Sequence, residues 1–366
     1  MTPILAALLL GSPTADLAAV GDLMLGRYVG RRISAEGVDR IFADSGDELR
    51  KADIAFGNLE CVLSRRPFAL SKQVLLRADP SNASGLSRAG FDILSVANNH
   101  SLDAGKAGLD DTVSALTRVG IHPVGSDPRP LVLRKNGLRI AFLAYCDFPG
   151  ASGISYLDEL RLKSDIALAR ATADVVVISC HWGIELTSRV TERQIHIATL
   201  AATSGADVIL GHHPHVLQKI AWLPAPHHRR CLVAYSLGNF VFDARTPAEK
   251  QTGILHITLT LGGATAYKFS PYQIANGPPL RWQERLTPRR QPDEGVRAPT
   301  TVLNFIFRPR STGASVEETE APITARSRRF GSRPRRQTVF GYCRCPNRGW
   351  KDPPPNTVCV QNPQSR

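Results

Sequence analysis

Three histidines fall within four residues in Gly211-His212-His213-Pro214-His215, directly after the apolar run Val208-Ile209-Leu210. The run reads as a buried strand and the glycine as its end. The imidazoles then stand at the carboxyl edge of a central strand, where open α/β sheets hold their ligands. Pro214 stiffens the turn, and His213 and His215, two apart in an extended segment, are expected to project to the same side. Such a cluster is either a set of metal ligands or a polar loop, and the histidines alone do not decide between them.

The same arrangement recurs along the chain. Asp22 follows an apolar stretch at 16–20, Asn58 and Glu60 follow 54–56, Asn99 and His100 follow 91–96, and His181 follows 173–179. Carboxylate, imidazole and amide oxygen form a borderline-hard ligand set that suits Mn²⁺, Fe²⁺ or Zn²⁺. One tetrahedral ion cannot use so many groups, whereas two divalent ions about 3.5–4 Å apart, bridged by a carboxylate, would use them all. Each residue also has a plain structural alternative. Asp22 could cap a helix, Asn98-Asn99 could serve a turn, and His181 beside Trp182 could be a packed core histidine.

The elements that must position these groups alternate. Short apolar runs at 16–20, 54–56, 91–96, 139–145, 173–179, 208–210 and 232–236 read as strands, and 253–261 alternates like a half-exposed one. Between them, 35–52, 80–90, 106–119, 157–172 and 189–203 carry helical periodicity. Strands alternating with helices predict an α/β fold with helices covering the sheets. Polar residues after so many strands predict one site fed from many strand ends.

Six motifs occur in order: Val20-Gly21-Asp22-Leu23-Met24-Leu25-Gly26-Arg27, Gly57-Asn58-Leu59-Glu60, Ala97-Asn98-Asn99-His100-Ser101-Leu102-Asp103, His181-Trp182-Gly183, Gly211-His212-His213-Pro214-His215 and Ser236-Leu237-Gly238-Asn239-Phe240. Together they resemble the bacterial CapA/PgsA family, named for capsule and poly-γ-glutamate synthesis, within the calcineurin-like metallophosphoesterase superfamily. The resemblance implies a four-layer α/β/β/α sandwich with two mixed sheets and a site for two divalent metal ions (Mn, Fe or Zn) at the strand ends. It implies Asp22, Glu60, Asn99, His181, His213 and His215 as ligands, with Glu60 rather than Asn58 bridging and His212 outside the set. It implies His100 as the general acid, oriented by Asp103. It also implies an anionic polymer or phosphoester substrate and polymer synthase components at the membrane as partners. Arg27 and Lys72 are candidates to meet an anionic substrate, with solvated surface the alternative. One departure stands out: the superfamily usually opens with Asp-x-His, and here the histidine position is Met24, a poor ligand for hard ions. A bridging Glu where Asp is usual is a second. Phosphoesterase activity therefore does not follow automatically. The rival expectation is a non-catalytic accessory protein that holds polymer or partners in the same cleft.

Composition sets the bounds. The 366 residues carry a net charge of +13, which looks like nucleic-acid binding until it is located. From Arg281 onward there are 17 Lys/Arg against 7 Asp/Glu, so ten of those charges belong to the last part of the chain. Residues 1–14 are expected to form a ragged N-terminus, 15–288 the folded domain, and 289–366 a Pro/Arg-rich, mostly disordered basic tail without specific nucleic-acid binding. The seven cysteines are scattered and lack paired zinc spacing, so Cys61, Cys146, Cys180 and Cys231 read as buried thiols. No run approaches a membrane span, leaving cytoplasmic and envelope-associated locations both open.

Overall fold

The computed structural model describes residues 12–150 and 153–274, and the backbone of Leu286–Pro288. The N-terminal stretch 1–11, the tail from 289 and its three cysteines lie outside the described residues, as do the expectations made for them.

Two mixed sheets carry the fold. The first contains β1 (Thr14–Leu23), β2 (Ile54–Leu59), β5 (Ile93–Ser95), β6 (His122–Val124), β13 (Asn239–Val241), β14 (Gln251–Thr260), β15 (Gly263–Ile274) and β16 (Leu286–Pro288). Its order is β16-β15-β14-β1-β2-β5-β6, with β13 also pairing β1. The second runs β11-β12-β10-β9-β8-β7, from β7 (Leu131–Lys135), β8 (Leu138–Cys146), β9 (Val175–His181), β10 (Val208–His212), β11 (Ile220–Pro224) and β12 (Arg230–Ala234). A separate ribbon pairs β3 (Val62–Leu63) with β4 (Arg77–Ala78).

The period-two alternation of side chains sorts each central strand into two faces. Leu17 and Ala19 of β1, Ile54 and Phe56 of β2, Phe142 and Ala144 of β8, Val175 and Val177 of β9, and Val208 and Leu210 of β10 share one core between the sheets. Phe56 stacks on Phe142 there, ring centres 6.2 Å apart. The opposite faces pack on helices. Ala18, Val20 and Ala55 meet α1 (Arg27–Glu36), α2 (Gly46–Lys51), α3 (Ala83–Ala89) and α4 (Gly105–Arg118). Ala141, Leu143, Val176, Ile178 and Ile209 meet α5 (Glu159–Thr172) and α6 (Glu192–Ser204). The order is therefore helices, sheet, sheet, helices. Strands buried on both faces explain why β9 reads as an unbroken apolar run rather than an alternating one.

The helix ends follow from local sequence. Asp158 caps α5 by accepting the Arg161 N–H. Thr191 and Gln194 form a reciprocal capping box on α6, which ends at Gly205 in the left-handed region, φ 111°. One expected helix is not continuous. In place of 35–52 the chain forms α1, a 3₁₀ turn at Val38–Phe42 and α2. Gly37, at φ 84°, ends α1. Ile41, Phe42 and Leu49 are still buried as the periodicity required, so the apolar positions were read correctly and the breaks between them were not.

Candidate metal centre

Strand register brings the polar residues together. Asp22 lies beside Asn58 of β2 on one side and Asn239 of β13 on the other. In the second sheet, His212 at the end of β10 lies beside His181 at the end of β9. The two rows occupy the carboxyl ends of β2, β9, β10 and β1, as the sequence pattern predicted. Gly21 makes the first row possible, because a Cβ there would stand 1.9 Å from the Gly238 carbonyl oxygen. With no side chain in the way, Asp22 N–H donates to that same oxygen at 2.9 Å.

Glu60 sits at the centre. It is fully buried, and neither carboxylate oxygen accepts a hydrogen bond from the described residues. Three imidazole nitrogens surround its Oε1: His181 Nε2 at 3.6 Å, His215 Nε2 at 3.7 Å and His100 Nε2 at 4.0 Å. These separations are too long for hydrogen bonds and suit donors that share something between them. Glu60, His213 and His215 bring ligand atoms within 4.8 Å of one another, and Asp22, Glu60 and His181 do the same, so the two triads share Glu60. Asn99 Oδ1 joins them, 3.0 Å from His181 Nε2. A buried carboxylate without donors is costly unless a cation compensates it. Together with the mixed oxygen and nitrogen donors, this fits a divalent transition metal.

The histidine turn differs in detail from the extended segment expected. His213 and His215 both have positive φ, 95° and 58°, so they converge through a tight turn and not through strand alternation. Asp22 Oδ2 accepts the His213 N–H at 3.3 Å, and His215 Nδ1 lies 2.9 Å from Asn239 Oδ1. His212 points its Nδ1 at Asp22 Oδ1, 3.3 Å away, and is in neither triad.

Asn58 is a crossbar. Its amide nitrogen donates to Asp22 Oδ1 at 2.8 Å and its oxygen accepts from Asn98 Nδ2 at 3.2 Å. Asn98 Oδ1 in turn accepts the His100 N–H at 3.1 Å. The His100 ring is held from behind, with Nδ1 2.8 Å from Asp103 Oδ2. Asp103 Oδ2 also accepts the Leu76 N–H, and Asp103 Oδ1 pairs with Lys72 Nζ at 2.6 Å. Lys72 Nζ lies 3.3 Å from His100 Nδ1 as well. Because ammonium can only donate, the shorter contact to Asp103 assigns the Nδ1 proton to His100, leaving Nε2 toward Glu60. Both candidate substrate cations are thus matched with buried carboxylates: Lys72 with Asp103, and Arg27 with Asp243 at 2.7 Å. Met24 is fully buried and its Sδ accepts the Gly26 N–H at 3.1 Å, so it turns to its own backbone.

The charges are strongly biased. Burial opposes ionisation of Asp22, but the imidazoles of His212 and His215 outweigh it and hold the carboxyl well below its usual range. Burial lifts Glu60 well above its usual range, opposed by His215 and assisted by Asp22 and Glu185. His215 is depressed by burial but lifted further by Glu60 and Asp22, to about 10. Burial, then the charge of His215, brings His213 down to about 3. Burial and His213 hold His181 well below its ordinary value. Burial also lowers His100, against the pull of Asp103. Neutral His181 and His213 keep lone pairs available at neutral pH, as ligands require.

The sequence reading gave Asn239 no role and Asn98 only a possible place in a turn, although both stand in motifs it quoted. An asparagine right after a strand was the available signal.

Fold and site together define a mixed α/β protein with a candidate metal centre at its strand ends. Residues 16–244 match the model of the bacterial capsule synthesis protein PGA_cap. The capsule biosynthesis protein CapA of Bacillus anthracis is 30% identical over 285 residues, 72% of this chain and 68% of that one. The PGA biosynthesis protein CapA of Bacillus subtilis (strain 168) is 30% identical over 277 residues, 71% of this chain and 72% of that one. Among solved structures, a 5'-nucleotidase from Candida albicans SC5314 aligns with a TM-score of 0.38 and 10% identity, over 66% of this chain and 46% of that one. A likeness that distant bears on neither activity nor substrate. The chain belongs to the bacterial capsule synthesis protein PGA_cap family, the family its six motifs resemble.

Proposed function

We propose that this protein acts in the synthesis or export of an anionic surface polymer such as poly-γ-glutamate, through a metal-dependent phosphoesterase-like site. The observation that carries the reading is Glu60, buried without hydrogen-bond donors and shared by two triads of ligand atoms. Asp22, Glu60, Asn99, His181, His213 and His215 would hold one or two divalent ions. When bound, such ions supply an activated nucleophile and neutralise charge developing on phosphoryl oxygens. The chain's own part is positioning and proton transfer. Asp103 holds His100 through Nδ1, so Nε2 faces the site and, when protonated, gives its proton to the leaving oxygen. Lys72 braces Asp103 from the other side.

A second reading rests on Met24. With its sulfur turned to the Gly26 N–H, the first motif offers only Asp22, which favours an accessory protein that binds polymer or synthase components without turnover. A panel of phosphoesters assayed with Mn²⁺, Fe²⁺ and Zn²⁺, alongside metal content, separates the two. Metal with turnover supports the enzyme. Metal without turnover on any substrate supports the accessory role, and absence of metal contradicts the enzyme.

A further inference from the structure

Asn239 is fully buried and lies beside Asp22 in the first sheet. Its side chain meets His215 at two points. Nδ2 donates to the His215 carbonyl at 3.2 Å and to the Glu249 carbonyl at 3.3 Å, while Oδ1 lies 2.9 Å from His215 Nδ1. Both amide N–H groups thus face carbonyl oxygens, which can only accept. A flipped amide would set its oxygen against two carbonyls, so the orientation is fixed by the network. It follows that Oδ1 faces His215 Nδ1, and that Nδ1 carries a proton. Asp22 Oδ2, 3.3 Å from the same nitrogen, requires the same assignment. Nε2 is then the nitrogen turned toward Glu60.

We propose that Asn239 is a positioning residue for metal binding, holding His215 with Nδ1–H fixed and Nε2 as the ligand atom; this rests on the metal reading above. The same amide grips the backbone of a residue at φ 58°, a left-handed conformation that is strained for a non-glycine residue. The His213 ring has no such hold at Nδ1, which is buried without a hydrogen-bond partner among the described residues. Outer hydrogen bonds that set a histidine ligand's tautomer and ring angle are worth roughly 10–100-fold in metal affinity.

The test uses the full chain, stripped of metal and titrated with Zn²⁺ against a chromophoric chelator. Asn239→Leu should bind Zn²⁺ about 10–100-fold more weakly than wild type, with an unchanged circular dichroism spectrum. Long-range ¹⁵N–¹H correlation on histidine-labelled, Zn²⁺-loaded wild type should show His215 as the Nδ1–H form, assigned by its loss in His215→Gln. The second measurement stands even where Asn239→Leu fails to fold. Equal Zn²⁺ affinity in a folded Asn239→Leu, or His215 in the Nε2–H form, overturns the role of Asn239 and leaves the metal reading intact. Wild type that takes up no Zn²⁺ sinks the metal reading, and this proposal with it.

Discussion

In the proposed reading Glu60 gathers metal and His100 moves the proton, a division of roles that can be measured. His100 hangs from Asp103 through one nitrogen and from Asn98 through its backbone. It belongs to neither triad, whereas His213 and His215 share one with Glu60. General acid catalysis is typically worth about 10²–10⁴ in rate. If the protein turns over a phosphoester, His100→Ala should lose roughly that factor while keeping its metal. His213→Ala or His215→Ala should lose metal and activity together. Rates and metal stoichiometry for all three variants make the comparison. His100→Ala that sheds metal as readily as His215→Ala would reverse the assignment. The pH dependence of metal uptake follows from the same groups. Burial raises the pKa of Glu60, and Glu60 and Asp22 outweigh burial to lift His215 to about 10, so protons compete with metal at both groups. Binding must displace them, so affinity should rise with pH and protons should be released. Calorimetry in buffers of different ionisation enthalpy reads the release, and proton-neutral binding would contradict it.

At the scale of elements, the close approach of β1 to the 236–239 turn and the latch on β14 make separate claims. Gly21→Ala would drive a Cβ into the Gly238 carbonyl. Relief requires Asp22 or Asn239 to move, so the variant should lose metal affinity even where enough fold survives to be measured; full affinity would show that the backbone yields without cost to the site. His256 on β14 places Nδ1 2.8 Å from Asp16 Oδ2 and Nε2 2.9 Å from Glu48 Oε1. Tyr272 also donates to Glu48, and Lys268 is the cross-strand neighbour of His256. Hydrogen bonding to Asp16 is the main cause that raises the His256 pKa, with burial opposing it. A raised histidine contributes stability that is full below its unfolded value of about 6.5 and is lost as pH climbs through the folded value. His256→Gln should therefore cost about 1 kcal/mol near pH 6 and less near pH 9, read by urea denaturation at each pH; an equal loss at both would deny the latch a charge.

These elements also show what the sequence could and could not reveal. Apolar runs such as β8 and β9 were legible because strands buried on both faces carry near-continuous apolar residues. The edge strands β7 and β11 were not, although Leu131-Val132-Leu133 and Ile220-Ala221-Trp222-Leu223 are apolar, because runs of three or four apolar residues show neither period clearly. The site residues were legible as strand-end polar groups. The contacts that orient them were not, because Asn239 meets His215, and Lys72 meets Asp103, only through pairings between distant parts of the chain. The positive φ of His213 and His215 was hidden for a further reason. Backbone strain is imposed by the turn and the Asn239 grip, not by the residue type.

For the whole molecule, no helix among the described residues is long and apolar enough to cross a membrane. From sequence composition the folded domain is expected to span 15–288, with the Pro- and Arg-rich remainder lacking apolar periodicity. A chain ending at 288 is thus expected to fold with the thermal midpoint of the full protein, and limited proteolysis should trim to a stable core near that point. A protected C-terminus, or a truncated chain that does not fold, would place a structural element in the remainder. The central claim is that Glu60 gathers divalent metal at the strand ends. Elemental analysis of full-length wild type and Glu60→Gln, both purified without chelator, tests it most directly. Wild type should carry up to two ions of Mn, Fe or Zn per chain, with a marked loss in the variant. Wild type that is metal-free and takes up none of the three, or Glu60→Gln that retains the full complement, would contradict it.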